Sequence, residues 1–229
     1  MSGRLLTALG AALLASAVTG NAWAQGQVYD PVPPRGSAYV RLVNVLPGEV
    51  TARPDFLPQQ RLGTAPAQRV MAFTAVENVA NRPLRLEFQE GARRGQATLR
   101  VEAGSFVTVL LHAGANGALT ATPVVEAADF NRARARLAFY NAMPDCPAAT
   151  LSISPSGPAI FEGVPSLAAR ARSVNPVAAE IRGQCGERTS APFALEGLEA
   201  GGMYSVWLIS GAAAPSAFLT RDTTALYRP

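Results

Sequence analysis

The chain has 229 residues, of which 48% are hydrophobic and 16% charged, and its formal net charge is +4. This composition is typical of a globular protein and excludes a disordered chain. A charge this small argues against nucleic-acid binding, which needs a basic stripe or a recognisable module. We therefore expect no nucleic-acid partner.

The first 24 residues have the pattern of a cleavable export signal. Arg4 supplies a positive charge, residues 5–18 form an apolar run too short to span a bilayer, and Ala22-Trp23-Ala24 fits a signal peptidase. We predict that residues 1–24 are removed, that the mature chain starts at Gln25 and that it resides in the periplasm. An uncleaved N-terminal anchor is the alternative.

Residues 25–36 follow the signal and contain three prolines within 28–36. Proline fixes its own φ and disfavours helix in the residue before it. The sequence therefore predicts an extended leader that lies along the surface before the first strand.

The rest of the chain repeats itself with an offset of 97 residues, as from Asn44 to Asn141. Residues 40–47 return as residues 137–144, and residues 102–104 return as residues 199–201. Two separate matches with the same offset indicate a duplicated domain. We predict two domains of about 100 residues each, the size of an immunoglobulin-like sandwich.

Both copies contain short runs rich in Val, Leu, Phe and Tyr, interrupted by Gly, Pro and Asn. This pattern favours strands, so we predict an all-β fold of two tandem immunoglobulin-like β-sandwich domains. The domains are 37–128 and 129–229, and residues 90–95 are predicted to form a hairpin loop. Residues 65–81 and 166–175 are the weakest strand candidates, and each has room for a short helix. The clearest predicted strands are 38–45, 84–88, 97–101 and 106–111 in the first copy, and 133–142, 177–181, 192–195 and 203–209 in the second.

Cys146 and Cys185 are the only cysteines, and both lie in the second domain. In an exported chain we expect them to form one disulfide. Closing that loop would stabilise the domain by about 3–4 kcal/mol on the chain-entropy model. A redox-active pair is the alternative, but it would need the close CxxC spacing.

Residues that could carry catalysis are scarce. His112 is the single histidine; it lies at the end of an apolar run, and the second copy has Ile209 in its place. A catalytic triad would need this imidazole between a serine and an acid, and no nucleophile motif accompanies it. One histidine and two cysteines also cannot form a typical closed zinc site. We predict no catalytic, metal or cofactor residues and no bound cofactor.

Arg132, Arg134 and Arg136 alternate with alanines. On a strand, all three guanidinium groups would lie on one face. Arginine matches carboxylates bidentately, so this stripe is a candidate contact for a uronate polymer or an acidic protein. The alternative is a solvated start of a strand.

The leader and first strand carry a family resemblance. Tyr29, the Pro-Val-x-Pro run, Gly36 and then residues 37–44 (Ser-Ala-Tyr-Val-Arg-Leu-Val-Asn) resemble the start of the mature AlgF family, exported accessory proteins of alginate O-acetylation. The two-domain β architecture of that family would cover the whole mature chain. Cys146 and Cys185 have no counterpart in the resemblance.

The resemblance implies a division of labour in which a membrane-bound O-acyltransferase delivers acetyl groups and separate serine-dependent enzymes transfer them. The present chain would be a non-catalytic periplasmic adaptor that bridges these acetyltransferase components. An anionic polysaccharide is a further candidate ligand, and the leader from Tyr29 to Arg35 is a second candidate contact. Two alternatives are a generic exported cell-surface or adhesion protein and a small esterase or acetyltransferase with His112 in a serine-lined cleft.

Overall fold

A computed structural model describes residues 33–114, 116–126 and 132–228. These residues are almost all in strands or loops, with one short helix, α1 (Pro66–Arg69). The predicted all-β sandwich class is thereby confirmed. The predicted signal, residues 1–24, and all but the last four residues of the leader lie outside the described residues.

The first half of the chain forms two four-stranded sheets. The first inner sheet has the order β4-β1-β7-β8 and the first outer sheet the order β3-β2-β5-β6. Strands β1 and β7 run parallel, and every other pair in the two sheets is antiparallel. The strands are β1 (Ala38–Asn44), β2 (Val50–Pro54), β3 (Gln60–Leu62), β4 (Thr74–Val76), β5 (Leu84–Glu90), β6 (Arg93–Leu99), β7 (Phe106–Ala113) and β8 (Leu119–Glu126).

The second half repeats this plan. The second inner sheet has the order β12-β9-β16-β17, and the second outer sheet has the order β11-β10-β13-β14, with β15 also paired to β13. Strands β9 and β16 are parallel, as β1 and β7 are. The strands are β9 (Ala135–Asn141), β10 (Ala149–Ile153), β11 (Ala159–Val164), β12 (Ala168–Val174), β13 (Ala179–Cys185), β14 (Arg188–Thr189), β15 (Phe193–Leu195), β16 (Met203–Ile209) and β17 (Ser216–Arg221).

Strand burial distinguishes the outer sheets from the inner ones. In β5, Leu84, Leu86 and Phe88 are buried while Arg85 and Glu87 are exposed, the alternation expected of a sheet with one solvated face. In contrast, β9 is buried at every position, and β1, β7 and β16 nearly so. The inner sheets are therefore covered on both faces.

Three apolar cores lie between the four sheets. One fills the first sandwich, a second fills the second sandwich, and the third lies between the two inner sheets. In this third core, Tyr140 stacks on Trp207 with ring centroids 4.1 Å apart, and Val43, Leu110 and Phe218 pack in the same cluster. The described chain is thus a stack of four layers, joined at its centre by the two inner sheets.

The strand registers confirm the repeat offset of 97. Asn44 pairs with Leu111 across β1 and β7, and Asn141 pairs with Leu208 across β9 and β16. Each asparagine also organises the turn that follows its strand. Its Nδ2 donates to turn carbonyls, and its Oδ1 accepts from the backbone N–H two residues later.

Two glycines also occupy equivalent positions, just before β7 in the first inner sheet and just before β16 in the second. Gly104 has φ 80° and Gly201 has φ 76°, a left-handed conformation that glycine adopts without a steric penalty. The Gly104 N–H donates to the Ser37 carbonyl at 2.8 Å, and the Gly201 N–H donates to the Arg134 carbonyl at 2.9 Å. The same hydrogen bond therefore closes the same turn in both halves.

The structure differs from the predicted elements in several places. The hairpin predicted at 90–95 turns over only Gly91 and Ala92, so β5 and β6 extend further than expected. The weak stretch 65–81 holds α1, whereas 166–175 holds β12 rather than a helix. Residues 127–131 lie outside the described residues, so the exact division between 37–128 and 129–229 stays a prediction.

The segment after β17 leaves the second sandwich and contacts the first. The Phe73 N–H donates to the Thr223 carbonyl at 2.8 Å, and the Ala225 N–H donates to the Phe73 carbonyl at 2.7 Å. Further along, the Tyr227 hydroxyl hydrogen-bonds to Glu77. This C-terminal segment runs past β4 and ties the two halves together.

Candidate functional site

The arginine stripe predicted at Arg132, Arg134 and Arg136 is wrong in its geometry. Strand β9 begins at Ala135, so Arg132 and Arg134 lie in the preceding turn and are exposed. Arg136 is on the strand, but it is 4% exposed and forms an ion pair with Glu126 at 3.3 Å. The three guanidinium groups therefore do not form one surface, because the strand starts two residues later than the sequence pattern indicated.

The other predicted contact lies in the leader. Tyr29 is outside the described residues, and Arg35 is exposed just before β1. Whether these residues contact a partner stays a prediction.

The predicted disulfide is confirmed. Cys146 and Cys185 are bonded, with their Cα atoms 5.8 Å apart, and both side chains lie in the core of the second sandwich. Cys185 ends β13 opposite Ala149 of β10, so the bond ties the turn before β10 to the neighbouring strand.

A buried charged cluster lies between the two inner sheets. Arg41 Nη1 lies 2.6 Å from Asp222 Oδ1, and its Nη2 lies 3.0 Å from Glu126 Oε1. Arg136 pairs with the other oxygen of Glu126. The pairs Arg41–Asp222 and Arg136–Glu126 both cross between the sandwiches, so each sandwich supplies one cation and one anion.

Hydroxyl and aromatic groups complete the surroundings of Arg41. Its Nε donates to Thr108 Oγ1 at 2.8 Å, and its Nη2 also donates to the hydroxyls of Tyr140 and Ser205. The guanidinium lies 4.2 Å from the ring centroid of Phe73. A buried arginine needs such partners, because an unpaired buried charge is strongly unfavourable.

The cluster fixes Arg41 in its charged form. Burial by itself would lower the pKa of Arg41, but the acidic groups of Tyr140, Asp222 and Glu126 outweigh it and leave the pKa above its usual value. The side chains of Arg41, Glu126 and Asp222 are 0%, 3% and 1% exposed. A solute cannot reach them, so the cluster joins the two sandwiches rather than acting on a substrate.

A solvent-open cleft lies where the two sandwiches meet at one end of the stack. Its volume is about 700 Å³. The walls come from equivalent turns of the two repeats: Pro47 and Pro144 occupy matching positions, as do Gly114 and Gly211. The polar side chains in the lining are His112, Asp145 and Ser210. This cleft is the candidate functional site, because it is the place where a serine, a histidine and an acid line one cavity.

The hydrogen bonds in the cleft are not those of a catalytic triad. His112 Nδ1 lies 3.1 Å from the Ala113 carbonyl, which can only accept, so Nδ1 carries the proton. In the neutral ring, Nε2 then accepts from the Thr122 hydroxyl at 2.8 Å. A triad histidine would use these two nitrogens for an acid and a nucleophile.

The remaining members of the cleft are also engaged elsewhere or exposed. Asp145 accepts from Arg188 at 2.7 Å, and Ser210, the residue after β16, is exposed. Burial lowers the pKa of His112, while its hydrogen bond to Ala113 acts in the opposite direction. At neutral pH the imidazole in the cleft is therefore neutral, and its hydrogen bonds are to residues of the β7–β8 hairpin to which it belongs.

Neither a metal site nor a membrane-spanning helix is found in the described part of the chain. No three His, Cys, Asp or Glu side chains there are placed to hold a metal ion. Within the same residues, no helix has the length and apolarity to cross a bilayer.

No family model and no curated protein sequence matches the chain. Among solved structures, the family CBM26 protein CBMbc from Eubacterium rectale Amy13K, solved in complex with maltoheptaose, is 10% identical. The alignment covers 80% of this chain and 96% of that one, with a TM-score of 0.23. A likeness this weak supports no inference about a ligand, and function must be inferred from the chain's own residues.

Proposed function

We propose that the chain is a non-catalytic accessory protein of exopolysaccharide O-acetylation, which holds acetyltransferase components in fixed positions in the periplasm. The support for this role is the AlgF resemblance over residues 29–44 together with the predicted export signal. The disulfide fits an oxidising compartment such as the periplasm.

The observation that carries the proposal is the buried junction between the two sandwiches. The ion pairs Arg41–Asp222 and Arg136–Glu126 cross it, and an apolar core surrounds them. Sliding of one sandwich over the other would separate the paired charges while they remain buried, and an unpaired buried charge is costly. The two halves therefore move as one body.

A rigid four-layer body suits an adaptor. Packed sheets are about 10 Å apart, so the two outer sheets are separated by roughly 30 Å and face opposite directions. Partners bound at different places on this body would be held at a fixed separation. An adaptor needs this geometry and needs no nucleophile of its own.

The test is deletion of the gene in a strain that makes the polymer. We expect acetyl content of the exopolysaccharide to fall to background while polymer yield is unchanged, because synthesis does not depend on the adaptor. Complementation with the His112→Ala variant should restore acetylation as well as the unaltered gene does. Unchanged acetylation in the deletion strain would contradict the proposal and favour a generic cell-surface role.

The shared cleft of Ser210, His112 and Asp145 favours one second candidate, an acetylesterase or acetyltransferase. This activity would require His112 to exchange Thr122 for Ser210, and Asp145 to leave Arg188. The purified protein should be assayed with a small acetyl ester beside its Ser210→Ala variant. Hydrolysis that is lost in the variant would establish the enzyme, whereas equal background rates in both would support the adaptor.

A further inference from the structure

The solvent face of the first outer sheet is rich in arginine. Arg53, Arg61, Arg85 and Arg94 are all exposed, and each comes from a different strand of the sheet. Glu87 of β5 is the carboxylate among them. Four cations against one anion make this face strongly positive in a chain whose net charge is only +4.

The strand register arranges these side chains in rows. Thr51 pairs with Arg61 on one side and with Gln89 on the other, and Gln89 pairs with Arg94. Arg61 and Arg94 therefore end a row that crosses all four strands, a span of about 14 Å at ordinary strand spacing. In the next row, Arg53 pairs with Glu87, which pairs with Gln96.

A shallow groove of about 400 Å³ crosses this face. Its polar lining consists of Thr51, Arg53, Glu87, Gln89, Arg94 and Gln96. The hydroxyl of Thr51 and the amides of Gln89 and Gln96 thus lie in the same groove as the arginines. Amides and hydroxyls can both donate and accept, so they suit the hydroxyl groups of a sugar.

The arginines of this face are not neutralised by the protein itself. Among the ion pairs of the described residues, none involves Arg53, Arg61, Arg85 or Arg94. Arg53 donates to the neutral amide of Gln59. The nearby carboxylate of Asp55 is paired with Arg82, so the guanidinium forks remain available to an external anion.

The chemistry of the face selects among ligands. The large hydrophobic side chains that are exposed in the described chain, Val125, Val177 and Leu226, belong to other elements. Without an exposed ring, the face lacks the stacking platform that binds bases. Without an apolar centre, it also lacks the anchors that dominate protein–protein interfaces.

We infer that this face binds an anionic polysaccharide whose sugars carry carboxylates, that is, a polymer of the uronate class. Arginine recognises carboxylates bidentately, and the interleaved Gln and Thr side chains bind the sugar hydroxyls. The inference rests on the proposed role at an exopolysaccharide and names the class of polymer. It also gives the first sandwich a task distinct from holding enzymes.

The test compares two variants that lose the same charge. Arg53, Arg85 and Arg94 are changed together to Gln; in the control, Arg170, Arg172 and Arg228, which are exposed on the second half, are changed together to Gln. Binding of the purified protein to polygalacturonate is measured by titration calorimetry, with dextran as the neutral polymer and polyglutamate as the acidic polypeptide. Melting temperatures check that all three proteins are folded.

We expect the unaltered protein to bind polygalacturonate but not dextran, and the first variant to lose about tenfold or more in affinity. The control should change much less. Three outcomes would overturn the inference: no binding to polygalacturonate, equal loss in both variants, or stronger binding to polyglutamate. If polymer binding fails while gene deletion still abolishes acetylation, only this inference falls and the adaptor role stands.

Discussion

The two sandwiches share a backbone plan but differ in the side chains that they expose. At three of the four arginine positions of the first outer sheet, the second repeat has Thr150, Pro158 and Ala191, and only Arg182 keeps the charge. The residues that shape the turns, such as Asn44 and Asn141, are the same in both. The two halves thus share their turn-forming residues, whereas most arginines of the first outer face have no counterpart in the second half.

The interiors differ in a similar way. Cys185 of the disulfide stands where the first sandwich buries Phe88, and Ala138 stands where the first sandwich has Arg41. A second arginine at position 138 would add another buried cation to the junction that already contains Arg41. The junction is therefore built from two related but unequal surfaces, and only one of them supplies the central guanidinium.

The largest expected effect comes from removing that guanidinium. Arg41→Met leaves Glu126 and Asp222 buried without their common cation, so we expect the free energy of unfolding to fall by about 3–5 kcal/mol. Chemical denaturation measures it. Arg100→Met, at an exposed position in the same sandwich, is the control and should change stability by less than about 0.5 kcal/mol. Equal effects of the two changes would mean that the junction does not stabilise the fold.

The next largest effect should come from removing the disulfide, which is found in the second sandwich and has no counterpart in the first. Changing Cys146 and Cys185 together to Ser should lower the free energy of unfolding by about 3–4 kcal/mol. Hydrogen exchange should accelerate most in β13 and in β10, which follows the turn that the disulfide fixes, and least in the equivalent strands β2 and β5. The unaltered protein, unfolded without reductant, should show no free thiol. Two alkylatable thiols in that sample would contradict the disulfide.

The smallest effect concerns His112, whose equivalent Ile209 cannot titrate. Because burial holds the pKa of His112 below its usual value of about 6.5, the unfolded chain binds the proton more readily. Its contribution to stability is fully present above about pH 6.5 and is lost as the pH falls toward the folded pKa. The difference in unfolding free energy between pH 7.5 and 5.5 should shrink in His112→Ile. An unchanged difference would mean that the imidazole is not the titrating group.

Much of the fold follows from the sequence because local patterns determine it. The constant offset predicted the repeat, and the positive φ of Gly104 and Gly201 explains why glycine recurs at that spacing. The two cysteines had one pairing available, so the disulfide could be predicted as well. Helix α1 was only a possibility within residues 65–81, since its four residues carry too little periodicity to be distinguished from a loop.

The functional surfaces were harder to predict because they depend on which faces are covered. Arg136 has the sequence pattern of an exposed stripe, yet the second inner sheet is buried on both sides and encloses it. Arg41 was visible as a charge within an apolar strand, but its acidic partners, Glu126 and Asp222, are distant in sequence. The arginines of the first outer sheet are scattered over four strands and become one face only through the strand register.

The C-terminal segment has a consequence for how the protein must fold. Phe73 receives its backbone partners from Thr223 and Ala225, and Arg41 receives an essential anion from Asp222. The first sandwich, although synthesised first, lacks these partners until the chain has been made through residue 225. Until then its inner sheet would remain exposed along the face that later meets β9 and β16. A chain that ended before Asp222 would leave Arg41 without this anion and Phe73 without its backbone partners.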